Sequence, residues 1–92
     1  DPGILDIEEP VAQALSFGLH PNPATDLVNV QIENGFGAQI TLFSPSGELI
    51  ERVVARSQVN RLDLRNLSAG IYMVVVLDSN GARATKRLTV VN

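Results

Sequence analysis

The chain has 92 residues, a formal net charge of -3, no cysteine, and a hydrophobic fraction of 45% that is mostly aliphatic. A chain of this length buries only roughly 60 to 65% of its unfolded surface, so one domain with one aliphatic core is expected. The absence of cysteine excludes disulfides, thiolate metal sites and cysteine nucleophiles. The scattered basic residues form no patch that could neutralise a nucleic-acid backbone, so no nucleic-acid partner is expected.

Residues 1–14, DPGILDIEEPVAQA, contain two prolines, one glycine and four acidic residues, without a sustained period of 2 or 3.6. This composition predicts a linker or arm, and the folded domain is predicted over residues 15–92. The longest apolar run, residues 71–77, is far shorter than the ~20 residues that span a bilayer.

The first predicted strand, LSFGL at residues 15–19, is followed by the rigid sequence HPNP. Pro21 and Pro23 fix φ and lack a backbone donor, so this segment is expected to be a bend between two strands. The side-chain oxygens of Thr25 and Asp26 are expected to close the corner by accepting hydrogen bonds from nearby backbone N–H groups.

Two alternating strands follow the corner. Residues 27–33 alternate apolar and polar side chains, as a half-buried strand does, and residues 38–43 are a second such strand. The sequence SPSG at residues 44–47 suits a β-turn, with Pro45 at the second position and Gly47 at the fourth.

The second half of the chain predicts four more strands. Residues 48–54 carry charges at both parities, so neither face is assigned as buried, whereas residues 59–64 alternate with two leucines inward. Residues 71–77 are apolar on both faces, which predicts a central strand covered on both sides. The Asn-Gly pair at residues 80–81 predicts a type I′ hairpin turn, and residues 84–91 are the return strand.

About seven strands at intervals of roughly 10 to 12 residues, without a convincing helix, predict an all-β fold. The spacing favours an antiparallel β-sandwich of immunoglobulin-like type. A small barrel is the alternative that the pattern leaves open.

No arrangement of residues indicates catalysis. His20 is the only histidine, it precedes a proline, and no G-x-S-x-G sequence accompanies it, so no catalytic residue is assigned. One histidine without cysteine cannot supply a usual zinc site. Asp78, Asn80 and Gly81 resemble a fragment of a calcium loop without its twelfth-position glutamate, and a hairpin turn is the simpler interpretation. The sequence thus predicts no enzyme, no metal and no cofactor.

Several stretches, taken in order, resemble the type A C-terminal sorting domain of the type IX (Por) secretion system of Bacteroidetes. They are LHPNPATDLVNVQI at 19–32, ITLFSPSGELI at 40–50, LDLRNLSAGIYMVVV at 62–76 and the ending KRLTVVN at 86–92. The resemblance covers residues 15–92. Any one stretch would be weak, but their order and spacing together are specific.

The resemblance marks a set of signature and recognition residues. They are Pro21, Asn22, Pro23, Gly47, Gly70, Tyr72, Lys86, Arg87, Leu88, Val90, Val91 and Asn92. Gly47 and Gly70 are expected to provide a positive φ or a close backbone approach, and Tyr72 is expected in the core. Two positions depart from the family: His20 stands where tyrosine is usual, and Arg87 stands where lysine is usual.

The resemblance implies a secretion signal that directs an upstream cargo in the same chain through the outer-membrane translocon. It implies passage through the periplasm to the outer membrane, cell surface or medium, with removal by a sortase-like cysteine protease during surface attachment. The cut is expected within residues 1–14 or just upstream of Asp1.

The last strand, residues 88–91, is expected at a sheet edge whose unpaired backbone groups add to a receptor strand or support a homodimer. The alternative function is an immunoglobulin-like adhesion or spacer module of a surface protein. A third hypothesis, a polysaccharide-binding accessory domain, has little support because the chain offers only four aromatic residues for stacking on sugars.

Overall fold

The structure is a computed structural model that describes residues 15–33 and 36–91. Its strands are β1 (Phe17–His20), β2 (Leu27–Ile32), β3 (Gln39–Phe43), β4 (Leu49–Val54), β5 (Val59–Asp63), β6 (Gly70–Leu77) and β7 (Arg83–Val90). Each strand overlaps one of the apolar runs, which confirms the all-β prediction. The arm predicted over residues 1–14 lies outside the described residues.

The strands form two antiparallel sheets. The smaller sheet has the order β1-β2-β5 and the larger has the order β4-β3-β6-β7. The chain crosses between the sheets from β2 to β3, from β4 to β5 and from β5 to β6. Within the described residues, a single parallel bridge joins Ala24, in the connection between β1 and β2, to Val90 of β7. The fold is therefore the predicted β-sandwich and not a closed barrel.

The core lies between the two sheets and is aliphatic. Its large, fully buried side chains are Ile32, Ile40, Leu42, Leu62, Leu64, Leu88, Val28, Val30, Val74, Val76 and Val90. Phe17 and Tyr72 are the aromatic residues buried with them. The alternation predicted for β2, β3 and β5 is confirmed. Burying each such side chain stabilises the fold by roughly 1.5 to 3 kcal/mol.

The HPNP corner joins β1 and β2 of the smaller sheet and passes beside β7 of the larger sheet on the way. Before it, β1 pairs with β2, and after it Ala24 pairs with Val90 of β7 in the larger sheet. The peptide bonds preceding Pro21 and Pro23 are both cis. The expected corner contacts from Thr25 and Asp26 side chains are absent from the described part of the chain, where the Asn22 side chain closes the corner instead.

β6 is central in the larger sheet, but only one of its faces is covered. Tyr72, Val74 and Val76 are buried, whereas Ile71 and Met73 on the opposite face are 49% and 37% exposed. The prediction of a strand covered on both sides is wrong, because among the described residues only the smaller sheet packs against β6.

The turns follow local chemistry. The Gly47 N–H donates to the Ser44 carbonyl oxygen at 2.9 Å, and Gly47 has φ 94°, so the predicted turn at 44–47 is confirmed. The β6–β7 loop differs from the predicted type I′ turn. Its turn bond joins the Gly81 N–H to the Asp78 carbonyl oxygen at 3.1 Å, which makes Ser79 and Asn80 the central residues.

Candidate functional site

The signature residues converge on the end of β7. Gly70 pairs with Val90 and Tyr72 pairs with Leu88 across the β6–β7 ladder. On the other side of β7, Asn22 of the proline corner contacts its backbone. Sequence positions that lie up to 67 residues apart are thus brought to one end of one strand.

The proline corner is attached to β7 by four hydrogen bonds. Asn22 Nδ2 donates to the Arg87 carbonyl oxygen at 3.0 Å, and the Thr89 N–H donates to Asn22 Oδ1 at 3.1 Å. The Ala24 N–H donates to the Thr89 carbonyl oxygen, and the Val91 N–H donates to the Ala24 carbonyl oxygen, both at 2.8 Å. Ala24 is completely buried, so a larger side chain there would collide with its neighbours.

These bonds correct the expectation of an unpaired edge over residues 88–91. β7 is an edge strand of its sheet, but from Arg87 to Val91 its outward backbone groups bond to the corner. Backbone groups alternate in direction along a strand, so Arg83 and Thr85 also face outward. They have no strand neighbour within the described residues, and the open part of the edge is therefore the beginning of β7.

Two glycines in the signature have separate structural reasons. A Cβ on Gly70 would lie 3.3 Å from Cγ of Pro45. The expected close approach of the backbone to a neighbour is therefore present at Gly70. Gly47, two residues after Pro45, needs its positive φ. The Tyr72 hydroxyl donates to the Ser68 carbonyl oxygen at 2.6 Å and so fastens the loop that precedes β6.

The adjacent basic residues Lys86 and Arg87 of β7 point in opposite directions. Lys86 pairs with buried Val74 and places Nζ 6.0 Å from the centre of the Phe17 ring, at the side of the sandwich. Arg87 pairs with Met73 on the exposed side of the larger sheet. The sequence analysis took Lys86 and Arg87 together as one recognition pair, but the structure places them on different surfaces.

The remaining terminal residues differ in burial. Leu88 and Val90 are buried in the core, whereas Val91 is 42% exposed. Asn92 lies outside the described residues. Leu88 and Val90 therefore stabilise the sandwich, and among these three residues Val91 is the one a partner can reach.

An open depression of about 400 Å³ on the smaller sheet shows no catalytic arrangement. It is lined by Asp26, Leu27, Arg61, Asp63 and Arg65. Two hydrogen bonds from the Arg65 side chain and one from its backbone N–H lower the pKa of Asp63 from 3.8 to about 2. Asp63 is consequently a charged partner of Arg65 and a poor proton donor or acceptor at neutral pH.

The other candidates from the sequence have local roles. His20 shares a 3.0 Å hydrogen bond between its Nε2 and Gln31 Oε1 on the exposed face of the smaller sheet. Asp78 Oδ1 accepts N–H bonds from Asn80 and Ala82 and shapes the hairpin loop. The described ranges contain no cluster of acidic or histidine side chains that could hold a metal, and no helix long and apolar enough to cross a bilayer.

The sequence analysis did not predict the contacts that hold the corner to β7. Nothing in the local pattern pairs Asn22 with Arg87 and Thr89, because the contact crosses more than 60 residues. One feature of the sequence could have indicated these contacts, namely an asparagine between two prolines. The prolines lack backbone N–H donors, and the asparagine side chain can both donate and accept hydrogen bonds.

The last described strand, β7, is bonded to β6 on one side and to the proline corner on the other. Two antiparallel sheets packed around an aliphatic core define the chain as a β-sandwich module. The chain belongs to the secretion-system C-terminal sorting domain family, whose model matches residues 18–91. Domains of this family are signals for type IX secretion and not catalysts. Such a signal directs export to the outer membrane or cell surface.

Among solved structures, the chain is similar to PorZ, an essential surface component of the type-IX secretion system of Porphyromonas gingivalis. The TM-score is 0.73 and the identity is 18% over 83% of this chain. The chain spans only 11% of the PorZ chain, and this likeness shows a shared fold alone. A comparison with curated proteins gives no match.

Proposed function

We propose that the outer-membrane translocon recognises this domain through the end of β7 and the residues that present it. A sortase-like cysteine protease then removes the domain by cutting within residues 1–14 or just upstream of Asp1. The cargo ahead of that cut crosses the periplasm with the domain and is attached to the cell surface or released.

The observation that carries the proposal is the convergence of the signature on one end of one strand. Pro21, Asn22 and Pro23 form the corner that binds β7, and Gly70 and Tyr72 pair with it from the other side. A motif required only for a stable sandwich would be spread over the core. This one surrounds a single strand end, which supports a role in recognition.

The exposed groups at this end are the candidates for direct contact. Arg87 and Val91 are accessible, and Lys86 lies at the side of the sandwich against Phe17. Leu88 and Val90 belong to the core, so their part in recognition is to hold β7 in place.

The test is export of a periplasm-targeted fluorescent reporter fused ahead of residues 1–92 in a bacterium with type IX secretion. Deleting the last five residues would also remove two core side chains, and a failure to fold would imitate a failure to sort. The informative variant is Arg87→Glu with Val91→Asp, because both side chains are exposed and the core is unchanged. The matched control is Arg61→Glu, on the exposed face of the smaller sheet.

The expected result is that the intact fusion and the control reach the surface or medium with the domain removed, while the double variant accumulates in the periplasm. Export of the double variant at the level of the control would contradict recognition at the end of β7. Retention of the intact fusion would contradict the sorting role itself and favour the spacer function.

The homodimer through an open edge is also a proposal. β4 is the other edge strand of the larger sheet and is exposed over most of its length. Pairing of two β4 strands would double the mass measured by light scattering. A Val54→Pro change would abolish that increase, because proline at an edge removes a backbone donor and blocks strand pairing.

A further inference from the structure

The outward-facing side of the larger sheet carries an apolar surface that the core does not require. We call this side the outer face, and its apolar side chains are Phe43, Leu49, Val54, Ile71, Met73, Val75 and Leu77. An antiparallel sheet with one face in the core normally presents polar side chains on the other face. The outer face departs from that pattern along β6, where all four outward residues are apolar, and at Phe43, Leu49 and Val54. Its uncharged polar residues are Gln39, Thr41, Thr85 and Thr89.

The smaller sheet of the same sandwich follows the usual pattern. Its outward positions include His20, Asn29, Gln31, Arg61 and Asp63, with single apolar exceptions near its ends. The apolar character of the outer face is therefore a property of one sheet. It indicates a surface that another molecule covers.

The charge on the outer face has one sign. Its charged residues are Arg52 on β4 and Arg83 and Arg87 on β7, and no acidic residue occupies an outward position of the four strands. Residues 15–91 hold seven basic and six acidic residues, a net charge of +1, so the outer face with its three arginines is more basic than the rest of the domain. They lie on the two edge strands, so each margin of the outer face carries arginine. The exposed Glu51 beside Arg52 pairs with buried Leu42 and belongs to the other side of β4.

A hollow of about 240 Å³ combines both features. Its apolar lining comes from Phe43, Val75 and Leu77, and Arg52 and Arg83 also line it. Arg52 Nε is held 3.4 Å from the hydroxyl oxygen of Thr41. Such a hollow fits an apolar side chain with a carboxylate beside it, because the apolar lining packs against the side chain and the guanidinium groups bind carboxylates.

The size of the outer face indicates a transient contact. The four strands are five to eight residues long and about 4.8 Å apart, so the outer face covers roughly 19 by 22 Å, or about 400 Å². An interface of about 800 Å² in total belongs to the weak, short-lived class. A second copy is a poor occupant, since stacking two such faces with their strands aligned brings arginine margin against arginine margin.

We propose that the outer face docks a protein of the secretion machinery whose contacting surface is apolar at its centre and carboxylate-rich at its margins. This inference rests on the proposed sorting function and adds a second contact surface to the end of β7. The transient contact suits a signal that is bound during export and then released.

The experiment uses the reporter fusion with residues 86–92 unchanged. Ile71→Glu and Arg83→Glu alter the outer face, and their matched controls on the smaller sheet are Val59→Glu and Arg61→Glu. Ile71 and Val59 are equally exposed, at 49% and 50%. Each variant's thermal unfolding is compared with that of the parent, and a photocrosslinking amino acid is placed at Met73 or at Val59 in living cells.

The expected result is that each outer-face variant lowers the exported fraction about tenfold, because a carboxylate is desolvated at an apolar contact or a complementary charge is reversed. The controls export normally. Met73 crosslinks to a component of the machinery, Arg83→Glu abolishes that crosslink, and the Val59 probe gives none.

Normal export of both outer-face variants, while the intact fusion is exported, would overturn the inference and leave the sorting function standing. Crosslinks from Met73 to residues 1–14 of the same chain, or to a second copy, would also overturn it. Retention of the intact fusion would count against the proposed function from which this inference starts.

Discussion

Replacing Asn22 with alanine removes the two side-chain hydrogen bonds between the proline corner and β7. Each such bond contributes about 0.5 to 1.5 kcal/mol, and water replaces part of each one because both are exposed. The backbone bonds of Ala24 remain in place. The expected loss in unfolding free energy is about 1 to 2 kcal/mol, which lowers the Tm of a domain this size by about 5 to 10 °C.

Urea denaturation and amide hydrogen exchange measure this change. The matched control is Thr25→Ala, in the same corner, where the side chain makes no hydrogen bond in the described structure. In the Asn22 variant the Thr89 amide loses its acceptor and exchanges about tenfold faster, as the loss of about 1.4 kcal/mol requires. The Val91 amide, bonded to the Ala24 carbonyl oxygen, changes less.

A second substitution, Asn22→Asp, separates the two bonds. It keeps the acceptor for the Thr89 N–H but places an anionic oxygen against the Arg87 carbonyl oxygen. We expect it to destabilise the domain at least as much as alanine does. The reasoning is refuted if Asn22→Ala and Thr25→Ala have equal stabilities and the Thr89 amide keeps its protection.

Three further predictions concern the core and one exposed ion pair. Leu88→Ala lowers the unfolding free energy by about 2 to 5 kcal/mol because the side chain is fully buried. Its control, Val91→Ala, changes the unfolding free energy by less than about 0.5 kcal/mol. Equal urea midpoints for the two variants would contradict the assigned burial. Tyr72→Phe costs about 0.5 to 1.5 kcal/mol by removing the hydroxyl bond to the loop before β6, and an unchanged Tm would show that this bond contributes nothing. We expect an NMR titration to give Asp63 a pKa of about 2, and we expect Arg65→Gln to return that pKa towards 3.8. Since folding lowers this pKa, the stability from the pair is present above pH 3.8 and lost as the pH falls through 2; a normal pKa in the parent domain would contradict the pairing.

The sequence predicted the strands because their signals are local. Period-2 alternation in β2, β3 and β5 and the turn at residues 44–47 depend on neighbours within a few positions. The family resemblance was confirmed for the same reason, since a signature is a matter of order and spacing. The predicted turn at residues 80–81 failed in type, because the Asp78 side chain accepts two backbone N–H bonds and extends the loop.

The candidate site was harder to predict because its contacts cross the whole domain. The sequence marked the prolines, the glycines and the last strand, but it assigned corner closure to Thr25 and Asp26. Asn22 bonds to the backbone of β7 because β7 lies beside the corner. The position of β7 depends on the order of strands in the larger sheet. The split of Lys86 and Arg87 onto different surfaces follows from the same register.

By itself the sequence determined the strand positions, the aliphatic core, the rigid corner and the family, because alternation, turn chemistry and motif order are written in consecutive residues. The tertiary structure decided which edges are covered and which face is left bare. An apolar strand such as residues 71–77 has the same sequence whether one layer or two pack against it. The number of layers depends on where the rest of the chain goes, and in residues 15–33 and 36–91 a single sheet covers β6 and leaves Ile71 and Met73 exposed.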